Sequence, residues 1–147
     1  MKYNGKTYKG YITTKNLPQN GIFVYGSNPD QRHGAGTAFI AVKDFGAQYG
    51  KGYRCVVGRS RGIVTTDLNV RQRPSVPKSL VLDEIKCLYD DAIKDPEHEY
   101  WIAYLNDSVP NLSGFTNQEI ADMFSAFPIP DNCVFNEGFA ELLNVIG

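Results

Sequence analysis

Gly21-Ile-Phe-Val-Tyr25, followed by Gly26-Ser27-Asn28-Pro29-Asp30-Gln31-Arg32-His33-Gly34-Ala35-Gly36-Thr37-Ala38, is the stretch on which the reading of this chain turns. A short apolar run bounded by turn residues suits a buried strand. Neither a strand nor a helix continues easily through Gly26-Ser27-Asn28-Pro29. Beyond the loop, residues 35–49 carry Ala38, Phe39, Val42 and Phe45 at helical spacing, and the glycines at 50 and 52 stop that pattern. A loop between strand and helix lies at the strand's carboxyl end, where α/β proteins usually bind ligands. Small residues at Gly34, Ala35 and Gly36 allow close backbone approach, and the N–H groups of a helix start favour an anion. Asn28 adds an amide that both donates and accepts. The competing reading is a glycine-containing turn with no ligand, because short glycine motifs discriminate poorly by themselves.

Outward from this stretch, residues 8–13 read as an edge strand and residues 16–21 as turn chemistry. Residues 53–57 and 62–65 read as two further strands, separated by Gly58-Arg59-Ser60-Arg61. Residues 66–78 are loop-like, with Pro74 and Pro77 among polar side chains. Ser79 is placed to cap a helix through Leu82, Ile85, Leu88, Tyr89 and Ile93 that ends before Pro96. Residues 99–105 make a strand candidate rich in aromatic and apolar side chains, and a polar loop follows over 106–115. Thr116-Asn-Gln-Glu119 is a capping box for a helix through Ile120, Met123 and Phe124. Residues 133–135 and 137–145 supply a last strand and a last helix. Strands alternating with helices predict an α/β fold, one domain over 1–147 with helices flanking a mixed central sheet.

A chain of 147 residues, 42% hydrophobic and 21% charged, is long enough for a real core and ordinary for a globular protein. No apolar run approaches the roughly 20 residues that span a bilayer. The opening MKYNGKTYKG lacks the apolar stretch of a secretory signal, so the expected location is the cytoplasm, with no membrane partner. Cys55, Cys87 and Cys133 form no CxxC pair, and each is expected to be a buried small apolar residue. His33 and His98 have no ligand cluster nearby, so neither a metal nor any other cofactor is expected.

Charge is unevenly distributed. Residues 1–78 carry thirteen basic and three acidic side chains, and residues 79–147 carry two basic and thirteen acidic. Either the two halves attract each other in the fold, or the first half meets an anionic ligand such as a phosphate. The arginines at 54, 59, 61, 71 and 73, with Tyr49 and Tyr53 as stacking surfaces, invite a nucleic-acid reading. An acidic second half and a pI near 6.1 argue against a long polyanion and favour a mononucleotide or dinucleotide. The unperturbed pKa of a histidine lies near neutrality, so His33 suits a proton donor or phosphate contact. Asp30, Asp67 and Asp107 lie in separate loops and could activate water if they converge.

The strings Ile22-Phe-Val-Tyr-Gly-Ser-Asn28, His33-Gly-Ala-Gly-Thr-Ala38 and Phe45-Gly-Ala47 resemble small phage and bacterial proteins of macrodomain-like pattern. Ile63-Val-Thr-Thr66 resembles their next strand end. The segment from Trp101, with Ser113-Gly114-Phe115 and the run from Ile120 to Phe124, resembles their second ligand loop and its helix. The chain's size also suggests a T-even bacteriophage family encoded near the phage DNA ligase gene.

This resemblance implies a three-layer macrodomain-like fold. It also implies binding of ADP-ribose or a related nucleotide, with hydrolysis of that ligand as an added activity. By the same resemblance, Gly26, Ser27, Asn28, Gly34, Ala35, Gly36, Thr66, Ser113 and Gly114 would contact the ligand. Asn28 would meet the distal ribose, Gly34–Gly36 the pyrophosphate, and Ser113 and Gly114 the phosphates from the other side. Asn28 and His33 would carry any catalysis, by positioning a water. Three features depart from the family's pattern: the strand end is only Gly-Ser-Asn, the glycine-rich loop is short, and the second loop lacks a dense glycine run. The alternative function is a non-enzymatic phage accessory protein that binds a host protein in the host cytoplasm. Aromatic residues such as Tyr100 or Phe127 would serve that interface unless they belong to the core.

Overall fold

The apolar run at residue 21 forms the central strand of a sheet, β2 (Gly21–Ser27), and five of its first six positions are buried. The computed structural model describes residues 1–32, 36–103 and 113–146. Among these residues β2 is preceded by β1 (Thr7–Tyr8) and followed by α1 (Gly36–Asp44), β3 (Val56–Val57), β4 (Ser60–Val64) and α2 (Lys78–Ile93). The chain continues with β5 (Glu99–Ile102), α3 (Asn117–Phe124), β6 (Cys133–Asn136) and α4 (Glu137–Ala140). The six strands make one sheet in the order β1-β6-β5-β2-β4-β3. Only the β3–β4 pairing is antiparallel, so the sheet is mixed but mostly parallel.

Alternation along β2 divides the apolar side chains between two clusters, as a sheet buried on both faces requires. Ile22 and Val24 join Ile63 and the inward residues of α2, α3 and α4. Phe23 and Tyr25 join Trp101, Val134 and the inward residues of α1. Ala38, Ala41 and Phe45 make the buried stripe of the α1 region, and the small alanines let the helix sit close to the sheet. Phe45 stacks on Phe23 with ring centroids 4.5 Å apart. Phe39 and Val42, which share the apolar spacing, turn to solvent instead. On α2 the buried stripe is Val81, Glu84, Ile85, Leu88, Tyr89 and Ala92, while Ile93 is exposed and Leu82 only half-buried.

Several element ends differ from the sequence expectation, each for a local reason. The strand expected over 8–13 is only Thr7–Tyr8. Asn16 accepts from the Thr13 N–H at 2.7 Å and donates to the Tyr11 carbonyl at 2.9 Å, so side-chain bonds replace a ladder there. The strand expected over 53–57 is only Val56–Val57, because Arg54 sits at φ +54° and turns the backbone just before it. The helix expected to reach residue 49 ends at Asp44, where Gly46 at φ +78° redirects the chain. The adjoining Gly58 packs so closely on Gly46 that an added Cβ would meet its backbone at 2.9 Å.

Strand β4 begins at Ser60, earlier than the expected 62, and β5 ends at Ile102; residues 104 and 105 of the expected strand lie outside the described residues. Ser79 does not cap α2, because the helix starts one residue earlier behind Pro77, which makes no side-chain cap. The helix expected over 137–145 stops at Ala140, since Asn144 and Val145 bond to Ser125 and the N-terminal residues instead. The capping box at Thr116 forms as expected, with Thr116 and Glu119 bonding reciprocally at 3.0 Å.

Cysteine burial also departs from expectation. Cys133 is buried, and burial pushes its thiol up to about 12, but Cys87 is half-buried and Cys55 exposed. Tyr100 belongs to the core, and Phe127 packs partly buried against it. No described helix is long and apolar enough to cross a membrane.

Opposite charges from the two halves of the chain meet in the fold. Lys6 pairs with Glu99, Arg54 with Glu84, Arg61 with Asp91, and Lys78 with Glu119. Arg61 lies on β4 with its side chain only 2% exposed, and also donates to the Cys87 sulfur at 3.4 Å. Glu84 is 1% exposed on the sheet-facing side of α2. One of its oxygens accepts the Val64 N–H at 2.7 Å, at the end of β4, and the other accepts the Arg54 guanidinium. Removing the carboxylate strands a buried backbone N–H. Glu84→Ala should therefore lower unfolding free energy by about 2–3 kcal/mol in urea titrations, the scale of a lost charged hydrogen bond.

Candidate functional site

Parallel pairing brings the carboxyl ends of β2, β4, β5 and β6 to one end of the sheet. The chain leaves β2 toward its neighbour β4, whereas it leaves β5 toward β6 on the opposite side. Adjacent strands whose onward connections diverge open a crevice between their carboxyl ends, the usual ligand position in open α/β sheets. Here that switch falls between β2 and β5.

The register sharpens the location. Pairing of β2 with β5 ends at Val24 and Ile102, with the Ala103 N–H on the Val24 carbonyl at 2.8 Å. Tyr25, Gly26 and Ser27 run on beyond it, paired with Gly62, Ile63 and Val64 of β4. Gly26 is the one exposed residue of β2. It carries no side chain, and an added Cβ would lie 3.0 Å from the Thr65 hydroxyl.

The loop after β2 is built on its own polar side chains. Asn28 is buried, and its amide donates to the Arg32 carbonyl at 2.7 Å while its oxygen accepts the Arg32 N–H at 3.0 Å. Gln31 at φ +55° is buried too, and donates from its amide to the Asn28 carbonyl at 2.8 Å. The Ser27 hydroxyl reaches the Gln31 side-chain oxygen at 3.5 Å. Asn28 therefore holds the loop shape, with one N–H and one lone pair of its amide beyond these bonds.

Asp30 accepts from both Arg32 and Asn69, at 3.2 and 3.0 Å. Asp67 accepts the backbone N–H of Asn69 at 3.0 Å. Two of the three loop carboxylates singled out from sequence thus meet at Asn69. This linkage of the loops after β2 and β4 runs through Arg32 and Asn69, neither of which carries a motif.

Thr66, just past β4, is buried, and Asp67 donates its N–H to Ser75 at 2.7 Å, folding residues 66–75 back over the sheet end. Ser113 is buried and accepts the Phe115 N–H at 3.2 Å. Gly114, at φ +82°, lies so close to Arg73 that a Cβ would fall 2.6 Å from the Arg73 Cβ. Gly26 and Ser27 thus end β2, Asn28 and Thr66 follow β2 and β4 at the same end of the sheet, and Gly114 packs on Arg73 of the loop after β4. Gly36 is the first residue of α1. His33, Gly34, Ala35 and Asp107 lie outside the described residues.

Three of the five arginines that invited a nucleic-acid reading turn to internal partners. Arg54 and Arg61 hold Glu84 and Asp91, and Arg59 donates to the Pro18 carbonyl at 2.6 Å. Arg71 and Arg73 remain exposed, the latter bonding to the Val70 carbonyl. Among the described residues, no three His, Cys, Asp or Glu side chains group as metal ligands. Comparison with protein-family models, curated proteins and solved structures finds no match.

Two measurements test this geometry. Asn28→Asp replaces a donor by a carboxylate facing the Arg32 carbonyl, and should cost about 1–3 kcal/mol in urea unfolding. Retention of full stability would show that the amide does not order the loop. Burial pushes the Tyr25 phenol up to about 12, with the Cys55 charge adding to it, and burial pushes Tyr3 up to about 12 as well. The folded state therefore keeps protons that the unfolded chain releases near 10, the ordinary tyrosine value. Its advantage is full below pH 10 and falls as pH rises toward about 12, which melting curves across that window should follow.

Proposed function

We propose that this chain is a macrodomain-like module, its sheet the middle of a three-layer arrangement, that binds ADP-ribose or a related nucleotide. The observation that carries this reading is Gly26, an exposed backbone position at the carboxyl end of an otherwise buried central strand, beside the β2–β5 switch. The resemblance of residues 22–38 to macrodomain-like proteins supports the choice of ligand, and the convergence of the β2, β4 and β5 loops supports the choice of place. Phosphates would lie along the open backbone of Gly26 and the start of α1, where N–H groups suit an anion. The second N–H of Asn28 and the Thr66 hydroxyl are the polar groups offered to the sugar. Hydrolysis at this site would use a water oriented by Asn28 and by Asp30, whose carboxylate Arg32 and Asn69 already hold in place.

Thermal unfolding against ADP-ribose tests the reading directly. At 100 times its dissociation constant a ligand adds about 2.7 kcal/mol of stability, a clear rise in melting temperature. Gly26→Ala should abolish that rise while melting close to the parent in the absence of ligand. Absence of a rise with ADP-ribose, ADP-ribose phosphate and NAD would overturn the nucleotide reading. It would leave a protein that acts through a host partner, for which Phe39 and Val42, exposed on α1, are the observation in favour.

A further inference from the structure

Residues 50–54 form a short strap beside the loop after β2, and none of the readings above uses it. The Gly50 N–H donates to the Gln31 carbonyl at 2.7 Å, which fastens the strap to that loop. Gly52 is buried, and a Cβ added to it would lie 3.7 Å from both the Gln31 side-chain oxygen and the Tyr25 hydroxyl. Gly50, Gly52 and Arg54 all take positive φ, at +79°, +106° and +54°. Glycine adopts that conformation freely. For an arginine it is strained, and it persists only where the surroundings hold it.

Arg54 is held from outside the strap. Its guanidinium donates to Glu84 and lies over the Tyr53 ring at 5.4 Å. Glu84 is fixed in turn, because it is buried on α2 and its other oxygen accepts the Val64 N–H at 2.7 Å. A buried anchor therefore sets one end of the strap, and the Gly50 amide carries that placement to Gln31. The Gln31 side-chain amide and backbone N–H both reach the Asn28 carbonyl, at 2.8 and 3.0 Å. The Asn28 side chain closes the series on Arg32. From α2 to the candidate site the contacts are continuous, as physical coupling between distant groups requires.

We propose that Arg54 is a positioning residue for the loop after β2, acting on it through the strap that its ion pair with Glu84 holds in place. The proposal rests on the nucleotide reading for the ligand the loop receives, and adds what keeps the loop in shape to receive it. The Arg54 guanidinium is committed to Glu84 and Tyr53, so its effect on a ligand is indirect. An ion pair that only anchored α2 to β4 would stabilise the domain as a whole. A positioning pair also sets how often one loop opens while the rest stays folded, and local opening is measurable by itself.

The test is amide hydrogen exchange, resolved by NMR in the ligand-free protein, on the parent, Arg54→Gln, Arg54→Lys and Gly50→Ala. The Gly50 and Arg32 amides, bonded to the Gln31 carbonyl and the Asn28 side chain, report on the strap and the loop. The Tyr100 and Ser125 amides, bonded to the Asn132 and Ala121 carbonyls, report on the rest of the domain. Arg54→Gln should speed exchange at Gly50 and Arg32 roughly tenfold or more beyond any change at Tyr100 and Ser125, the scale of one lost charge-assisted hydrogen bond. Arg54→Lys, which restores the charge, should recover most of that protection. Gly50→Ala keeps the ion pair and meets no heavy atom within 4 Å, so it strains only the positive φ of the strap. It should speed exchange at Arg32 and leave the Val64 amide as in the parent. Calorimetric titration of ADP-ribose should find Arg54→Gln and Gly50→Ala both several-fold weaker than the parent, which a direct contact from Arg54 would not produce. An equal change at all four amides, no recovery in Arg54→Lys, or parent-like Arg32 exchange in Gly50→Ala overturns the positioning role. A parent that binds no ADP-ribose overturns the nucleotide reading, and the exchange rates still decide the role of Arg54.

Discussion

A carboxylate with almost no access to water sits on α2 and accepts two donors at once, the last backbone amide of β4 and the guanidinium of Arg54. A charge in that position is tolerable only when it is paired and hydrogen-bonded, since taking it out of water costs several kcal/mol. Glu84 meets both conditions, and its location ties three parts of the molecule together. α2 is locked to the sheet, β4 is given a definite end, and the segment before β3 is held across the strand ends. Val64 is the residue opposite Ser27; the Ser27 carbonyl accepts the next amide, that of Thr65, at 3.1 Å, while Glu84 holds the Val64 N–H, which lies outside the β2–β4 ladder. The loops that leave that edge start from positions which this one carboxylate helps to define.

The uneven charge of the chain finds its use in the same way. The cationic first part and the anionic remainder are brought together as ion pairs between strand, loop and helix rather than as two opposed surfaces. Where such a pair is solvent-exposed, as with Lys6 and Glu99, the stabilisation is small. Where one partner is buried, as with Arg61 and Asp91, its contribution is specificity of docking, because a misplaced helix would leave a guanidinium buried without its anion. Composition alone allowed a charged ligand face as well, and pairing within the fold accounts for much of the asymmetry without one.

The order of strands and helices was largely legible from hydrophobic periodicity, and so was the strand-loop-helix unit around Asn28. The Thr116–Glu119 box was read correctly because its reciprocal bonds are local, within four residues. What escaped was set by contacts distant in sequence or by side chains acting on the backbone. Asn16 cut short the first strand with bonds to Tyr11 and Thr13, and Arg54 did the same for β3 through its backbone conformation. Glu84 was invisible because a charged residue in a helical stripe reads as solvent-facing unless its partner, thirty residues earlier, is known. Gln31 and Asn69 belong to no motif, yet they order the loops of the candidate site. The positions of Gly26 and Thr66 at a strand end were readable; that β5 ends opposite Val24, two residues before an exposed Gly26, was not.

Both outermost strands of the sheet, β1 and β3, are only two residues long. A parallel sheet with buried faces is vulnerable at its rims, where unpaired amides and carbonyls can recruit another chain. Two residues present too short a ladder to nucleate such pairing, and on the β3 side Arg54 turns the backbone just before the strand while Gly58 turns it at once into β4. The brevity of these strands acts as protection against edge-to-edge aggregation.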